Sequence, residues 1–318
     1  MVVKTTFTDE QLGKIISEYD IGNFVSQERF SAGAVQTNIK IYTTKGVFVF
    51  RYYENRRKEY VKFEINVLTY LSRRNFPTPA PINNIHGKSL IEIGRKPGVI
   101  FSYLEGEHKS KLNAIQEREL IQTLAKMHMI TQGYKPKYEQ FREGHDKEFS
   151  KKWIKQELKL YKNSRKGNER YQYMINELNN TILPTALPKG VVHCDYDIAN
   201  IKFKGNKIAG VLDFDDACYT NIIYDVASII YYWSFLREKE IKFSRAKKYI
   251  KIYEEIRPLN RTEKKYLFDS LKMVCLVYAG WFFYNSEYKG TDVFEKSKER
   301  ILQLNNIGRD EFYKKLFG

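Results

Sequence analysis

The chain has 318 residues, 42% hydrophobic and 15% aromatic, a composition typical of a packed globular protein large enough for two lobes with a cleft between them. Its net charge is +16, from 54 basic and 38 acidic residues, but the basic residues are scattered and accompany no zinc finger, RNP-type motif or arginine-rich tail, so we expect no nucleic-acid partner. No apolar run reaches the roughly 18–20 residues that span a bilayer, and no signal-peptide pattern opens the chain, so we expect no membrane partner.

The cysteine content argues against a disulfide framework and against a structural zinc site. Cys194, Cys218 and Cys275 are an odd number of widely spaced residues without a C-x-x-C pair. A reducing cytosol is the simplest environment for such a chain, so we predict a cytoplasmic protein. The sequence leaves the oligomeric state open.

The first hundred residues have the pattern of an antiparallel sheet with two helices. Thr8 and Gln11 form a capping-box pattern, which predicts a helix that extends to about Tyr19. A second helix is predicted by periodicity from residue 57 to about residue 73. Alternation and β-branched or aromatic residues predict strands within 24–53, at 90–93 and at 99–103.

Beyond Lys109 the pattern becomes predominantly helical, with one strand-and-loop segment at 191–220. A run of strands followed by a run of helices predicts an α+β fold of two lobes and not a doubly wound sheet. We predict an N-terminal nucleotide-binding lobe over 1–102 and a C-terminal helical lobe over 103–318. The predicted helices of the second lobe are 113–131, 146–180, 221–236, 241–256, 262–285 and 292–304.

The residues that can carry chemistry are concentrated between 191 and 217. An apolar strand leads into a loop with Asp195, Asn200 follows five residues later, and a predicted hairpin leads to Asp213. Phosphoryl transfer requires a carboxylate that accepts the proton of the attacking hydroxyl, and hard oxygen donors that hold Mg²⁺ on the phosphates. We therefore predict Asp195 as the catalytic base, Asn200 and Asp213 as Mg²⁺ ligands, and ATP as the phosphate donor.

Four neighbours of this motif have supporting roles in the prediction. His193 is expected to pack and shape the loop and not to transfer protons. Asp197 is either a substrate contact or a solvated loop acid, and Asp215 is either an aid to the metal site, such as a second metal contact, or structural. Asp225 lies among apolar residues, so we expect it to accept hydrogen bonds from backbone N–H groups of the 193–200 loop.

The 191–217 segment resembles the aminoglycoside phosphotransferase and choline kinase superfamily, whose members share the protein-kinase-like fold. Within it the whole chain most resembles the type II homoserine kinases and their relatives. The resemblance implies a bilobal fold with a small β-rich N-lobe and a large helical C-lobe. It rests further on Thr8-Asp9-Glu10-Gln11-Leu12, Tyr19-Asp20-Ile21-Gly22, Ala32-Gly33, Phe101-Ser102-Tyr103-Leu104-Glu105-Gly106, Leu124-Ala125-Lys126-Met127-His128, Tyr224-Asp225-Val226-Ala227 and Arg257-Pro258-Leu259.

The same resemblance assigns the nucleotide-binding residues. Gly33, between two predicted strands, is expected to cover the phosphates with its backbone, and Arg51 at the end of a strand is expected to contact them. Glu64 lies on the apolar stripe of the 57–73 helix, where a carboxylate requires a partner, so we expect it to pair with Arg51. The adenine is expected to contact backbone groups of Ser102, Tyr103 and Leu104.

We predict a phosphotransferase that acts on a hydroxyl of a small molecule, an amino alcohol such as a homoserine-like metabolite. The loop Asp213-Phe214-Asp215-Asp216-Ala217 is more similar to that of antibiotic kinases, so the alternative is a kinase that inactivates an aminoglycoside or an amicoumacin-type antibiotic. A protein Ser/Thr kinase is a further alternative, although Ala-Pro-Glu and a long activation segment are absent. Another alternative is a nucleotide-binding protein without turnover, although Asp195, Asn200 and Asp213 are all present. The choice between ATP and GTP is left open.

Overall fold

The computed structural model describes residues 4–30, 35–162, 164–236, 238, 240–288 and 290–318. The chain forms two compact units. The first comprises Met1–Gln116, Pro136–Arg142 and Ile198–Asp215, and the second comprises Glu117–Lys135, Glu143–Asp197 and Asp216–Gly318. The division into lobes at 1–102 and 103–318 stays a prediction.

The strands are short and all of their pairings are antiparallel in the described part of the chain. Their bounds are β1 Phe24–Arg29, β2 Thr37–Thr43, β3 Gly46–Tyr52, β4 Leu90–Ile93, β5 Lys96–Ser102, β6 Lys189–Val192, β7 Ile201–Lys204, β8 Lys207–Val211, β9 Cys218–Asn221, β10 Glu287–Tyr288 and β11 Thr291–Asp292.

The helices occupy both units. Their bounds are α1 Asp9–Ile16, α2 Lys58–Ser72, α3 Ala114–Ile130, α4 Lys147–Leu158, α5 Arg165–Asn179, α6 Ile223–Ser234, α7 Phe243–Glu254, α8 Arg261–Trp281 and α9 Val293–Phe317. None of the helices in these described ranges combines the length and the apolar character that a membrane crossing requires.

The first unit is built on a five-stranded sheet of order β1-β2-β3-β5-β4. Alternation along β2 turns Ile39 and Ile41 toward one face, where they join a buried cluster with Leu12 and Ile16 of α1. The predicted capping box opens α1, since Thr8 accepts from the Gln11 N–H and the Gln11 side chain accepts from the Thr8 N–H. The hairpin β7–β8 belongs to the same unit.

The second unit is mainly helical, with α6 and α8 at its centre. Almost every residue of α6 is buried, as are most residues in the C-terminal two thirds of α8. A helix that is buried on all sides is a core helix. Strands β6 and β9 pair with each other, and the 193–217 segment connects them along the chain. The predicted α+β fold, a strand-rich part followed by a helical part, is confirmed.

One predicted helix is wrong. The 146–180 stretch forms α4 and α5, separated by a 3₁₀ turn at Lys159–Tyr161 and a left-handed residue, Lys162, with φ 47°. Ser164 then caps α5 by accepting a hydrogen bond from the Gly167 N–H. A serine whose hydroxyl accepts from the backbone N–H three residues on begins a helix more readily than it continues one.

Candidate active site

A cavity of about 240 Å³ lies in the first unit, against the face of the sheet opposite α1. Its walls are mainly apolar, and seven of the predicted residues meet on them: Arg51, Glu64, Ser102, Tyr103, Leu104, Asn200 and Asp213. The predicted base Asp195 and its neighbours His193 and Asp197 do not line this cavity. The lining residues are Phe30, Asn38, Val49, Arg51, Glu64, Leu68, Pro79, Phe101, Ser102, Tyr103, Leu104, His108, Ala199, Asn200, Lys202, Leu212, Asp213 and Phe214.

Arg51 is fixed on this wall by neighbours from three elements. Asn38 on β2 is its direct cross-strand partner, and the Asn38 Oδ1 accepts from the Arg51 Nε at 2.9 Å. The Arg51 Nη1 donates to the Glu64 Oε1 at 3.1 Å, and its Nη2 lies 3.7 Å from the Asp213 Oδ1. Since Glu64 also accepts from the Tyr53 hydroxyl at 2.9 Å, α2 and the sheet hold the guanidinium in one orientation.

The charges of this pair depend on each other. Burial by itself lowers the pKa of Arg51, but the Asp213 and Glu64 carboxylates raise it by more, so the guanidinium stays charged. Burial raises the pKa of the Glu64 carboxyl, and the Arg51 charge is the main effect that opposes this rise. Without Arg51, Glu64 would be a buried carboxyl with a strong tendency to be neutral.

This dependence predicts non-additive mutations. Arg51→Ala and Glu64→Ala should each lower kcat/KM for the nucleotide, because either change removes the positioned guanidinium. The double variant should be little worse than the poorer single variant, with a coupling of about 0.5–3 kcal/mol. A double-mutant cycle on kcat/KM measures it, and fully additive effects would show that the contact has no role in nucleotide use.

Asn200 and Asp213 are neighbours at the end of the β7–β8 hairpin, since the Asn200 carbonyl accepts from the Leu212 N–H at 2.8 Å. Asp213 is exposed, and its carboxylate and the Asn200 amide are hard oxygen donors. No group of three His, Cys, Asp or Glu that could hold a metal occurs among the described residues. Mg²⁺ in kinases takes few protein ligands, with phosphates and water as the others, so this donor pair fits a Mg–nucleotide complex and not a metal held by protein alone.

Asp215 has partners from distant parts of the chain, which the sequence alone does not indicate. Its carboxylate forms a fork with Arg56, at 3.0 Å from Nε to Oδ1 and 2.8 Å from Nη2 to Oδ2, and also accepts from the Gln36 Nε2 at 3.1 Å. Burial by itself raises the pKa of Asp215, but Arg56 lowers it by more. Arg142 donates to the Asp215 carbonyl. These contacts favour the structural alternative, in which Asp215 anchors the segment that presents Asp213.

The predicted adenine-binding segment has a lysine beside it. The Ser102 N–H already donates to the Ala80 carbonyl at 2.9 Å, so the adenine would use other backbone groups of 102–104. The Lys202 Nζ donates to the Leu104 carbonyl at 3.0 Å and lies 4.7 Å from the centre of the Tyr103 ring. Alternation along β7, with Ile201 and Phe203 buried, is the sequence signal that could have placed Lys202 on the cavity side.

The second unit carries the loop with the predicted base. Asp195 follows β6, and its N–H donates to the His193 Nδ1 at 3.3 Å, while the Asp197 N–H donates to the Asp195 carbonyl at 2.9 Å. His193 is fully buried, and its ring packs edge-on against Tyr196. These contacts are those of a residue that shapes the loop, which is the predicted role of His193.

Asp225 braces this loop from α6, as predicted. Its carboxylate accepts from the backbone N–H groups of His193 at 2.7 Å and Cys194 at 3.0 Å, and from the His128 Nε2 at 3.1 Å. The His128 Nδ1 lies 2.7 Å from the Tyr253 hydroxyl. Burial lowers the pKa of His128, which fits a neutral ring that donates to Asp225 and accepts from Tyr253. Burial by itself raises the pKa of Asp225, but the His128 and His193 contacts lower it by more.

Two non-glycine residues of the motif have left-handed backbone conformations. Cys194 has φ 68° and Asp213 has φ 61°. Such conformations cost about 1–3 kcal/mol each and persist where the surroundings enforce them, often at functional sites. The Asp225 carboxylate supplies that enforcement at Cys194. Gly33, predicted to cover the phosphates, lies in 31–34, outside the described residues.

A fixed guanidinium beside hard oxygen donors, in an apolar cavity of an α+β fold, is an arrangement that suits a phosphotransferase. The sequence model of the phosphotransferase enzyme family (APH) matches residues 26–259 of the chain. The chain therefore belongs to the phosphotransferase enzyme family.

Individual relatives agree with this assignment. The homoserine kinase of Bradyrhizobium diazoefficiens is 26% identical over 278 residues, which cover 83% of this chain and 80% of that enzyme. The solved structure of amicoumacin kinase hAmiN with AMP-PNP, Ca²⁺ and Ami has a TM-score of 0.68 at 16% identity, over 97% of this chain and 94% of that one. The solved structure of the microcompartment-associated aminopropanol kinase has a TM-score of 0.70 at 12% identity, over 96% of this chain and 98% of that one. The predicted class, a small-molecule kinase with a hydroxyl acceptor, is confirmed.

Proposed function

We propose that this chain is an ATP- and Mg²⁺-dependent kinase that phosphorylates the hydroxyl of a small amino alcohol, of the size of homoserine or aminopropanol. The observation that carries the kinase chemistry of the proposal is the orientation of Arg51, which Asn38 and Glu64 hold beside Asp213 on the wall of an apolar cavity. A buried guanidinium aimed at a carboxylate is suited to the phosphates of a metal-bound nucleotide.

The proposed roles follow from the chemistry of each group. Asn200 and Asp213 would hold Mg²⁺, which when bound neutralises charge on the phosphate oxygens. Arg51 would neutralise α- and β-phosphate charge. The apolar walls bind the base, with backbone groups of 102–104 contacting the adenine.

Asp195 provides the proton acceptor of the reaction. The acceptor hydroxyl loses its proton to the Asp195 carboxylate as its oxygen bonds to the γ-phosphorus, and the bond from that phosphorus to the bridging oxygen breaks, so that ADP leaves. Positioning and electrostatics supply most of the rate acceleration. The products are ADP and a phosphate monoester of the amino alcohol.

We assign to Asp197 the role of binding the amine of the acceptor. It is a half-buried acid two residues after Asp195, in the same loop, and an amine is cationic at neutral pH. The likeness to homoserine kinases over 83% of this chain favours an acceptor of that size. A second candidate is an antibiotic that carries hydroxyl and amino groups, favoured by the Asp213–Ala217 loop and by the fold shared with amicoumacin kinase.

The acceptor can be tested by measuring ADP release from Mg·ATP with homoserine, aminopropanol, serine, aminoglycosides and an amicoumacin. We expect the highest kcat/KM with a small amino alcohol. N-acetylhomoserine is the matched control, because it keeps the hydroxyl and lacks the cation. A charge-assisted hydrogen bond is worth about 1.5–3 kcal/mol, so acetylation should lower kcat/KM about 10- to 150-fold.

The outcomes of this assay distinguish the two candidate acceptors and test the proposed function. In Asp197→Asn the difference between homoserine and its N-acetyl form should largely disappear. Highest kcat/KM with an antibiotic would replace the first candidate by the second. ADP release no faster with any acceptor than with water would contradict the proposed function. The cytoplasmic location, predicted from the cysteine pattern, is kept as part of the proposal.

A further inference from the structure

Helix α6 presents two polar side chains to the loop that carries Asp195. Asp225 and Tyr232 are seven residues apart, which is close to two helical turns, so they lie on the same face of α6. Asp225 accepts from the backbone of the loop at His193 and Cys194. Tyr232, two turns further on, reaches a side chain of the same loop: its hydroxyl lies 3.3 Å from the Asp195 Oδ1.

We propose that Tyr232 is a positioning residue for the reaction, and that its hydroxyl donates to Asp195 and fixes the orientation and the basicity of that carboxylate. This inference rests on the proposed function, in which Asp195 accepts the proton of the acceptor. A distance of 3.3 Å is long for a hydroxyl–carboxylate bond, and such contacts often tighten when substrate binds.

The surroundings of Tyr232 keep its hydroxyl protonated, and therefore a donor. Burial raises the pKa of Tyr232 well above its ordinary value, and the charges of Asp195 and Asp197 raise it further. The titratable groups that face it in the described part of the chain include those two acids on the loop, Tyr278 on α8, and Tyr224 and Tyr231 on α6 itself. Since none of these supplies a positive charge, deprotonation of Tyr232 is disfavoured throughout the range in which a kinase operates.

Donation from Tyr232 has a consequence that simple packing would not have. A hydrogen bond to the charged form of a carboxylate stabilises that form, so the base stays ionised at lower pH. Removing the hydroxyl should therefore lower kcat and also move the acidic limb of the pH–rate profile to higher pH. A residue that only filled space would change stability and leave the pH profile in place.

The neighbouring tyrosine provides a matched control. Tyr231 is fully buried on the same helix, and its hydroxyl has no hydrogen-bond partner in the part of the chain that the structure describes. Tyr231→Phe and Tyr232→Phe thus remove the same atom from adjacent positions. The hydroxyl has a target at position 232 and none at position 231.

The experiment measures kcat and KM against pH for both variants with the best acceptor. Tyr232→Phe should lower kcat about tenfold, leave KM for the nucleotide unchanged, and move the acidic limb upward. Tyr231→Phe should match the unmodified protein in kcat, in KM for the nucleotide and in the position of the acidic limb. Replacement of Tyr232 by 3-fluorotyrosine, a stronger donor, should move the limb downward, and this arm works even if the Phe variant folds poorly.

The outcomes separate the two claims. An unchanged pH profile in both Tyr232 variants, or equal losses in Tyr231→Phe and Tyr232→Phe, would overturn the positioning role. Absence of transfer by the unmodified protein would instead contradict the proposed function.

Discussion

Substitution of Asp195 by Asn is expected to lower kcat at least ~100-fold while the dissociation constant of the nucleotide changes little. Asparagine keeps the shape of the side chain but cannot accept the proton of the acceptor hydroxyl, and general-base catalysis contributes about 10²–10⁴-fold. The nucleotide contacts are assigned to other residues, so binding should be retained. Asp195→Ala should have an effect at least as large.

Asp197→Asn is the matched control for this variant, because it changes an acid of the same loop from carboxylate to amide. We expect it to raise KM for the amino alcohol more than it lowers kcat, since its assigned role is to bind the amine. Rapid-quench measurement of a single turnover separates the chemical step from product release. A phosphoryl-transfer rate in Asp195→Asn within a few-fold of the unmodified protein would remove Asp195 from the role of base.

The second large effect is expected from Asp213→Asn. Charge stabilisation by a metal ion is worth several kcal/mol, so loss of the carboxylate ligand should lower kcat ~1,000-fold or more. The variant should also bind ATP more weakly when Mg²⁺ is present, and as well as the unmodified protein, or better, when Mg²⁺ is absent. The second expectation follows because the Asp213 carboxylate repels the phosphates when no cation lies between them.

Calorimetric titration with ATP, with Mg²⁺ and with EDTA, measures this difference without relying on activity. The titrations with EDTA serve as the internal control for folding, since a misfolded variant would lose affinity under both conditions. Equal affinity for Mg·ATP in Asp213→Asn and in the unmodified protein would mean that Asp213 is not a metal ligand.

The residues that could be predicted are those whose signal is local. Asp195, Asn200 and Asp213 lie within nineteen consecutive positions, where spacing alone identifies them. Glu64 could be paired with Arg51 because a carboxylate on the apolar stripe of a helix requires a cation, and the structure has that contact at 3.1 Å. The capping box of α1 is likewise a four-residue pattern, and it opens the helix as predicted.

The contacts that could not be predicted join distant segments. Arg56 and Asp215 are 159 residues apart, and no local sequence pattern at either residue indicates that the two form an ion pair. Tyr232 lies among many buried aromatic residues of α6 and α8, so composition gave no reason to separate it from packing residues such as Tyr231. The break between α4 and α5 was missed because helical periodicity continues across it, while Lys162 and Ser164 end the backbone pattern.

The most direct test of the central claim is to follow the γ-phosphate of ATP by ³¹P NMR with Mg²⁺ and homoserine or aminopropanol. The proposed function predicts a new phosphate-monoester resonance that grows in step with ADP and couples to the protons of the carbinol carbon. Without acceptor, ADP should form at least ~100-fold more slowly. Formation of inorganic phosphate alone, at the same rate with and without acceptor, would contradict the assignment of a small-molecule hydroxyl as the acceptor.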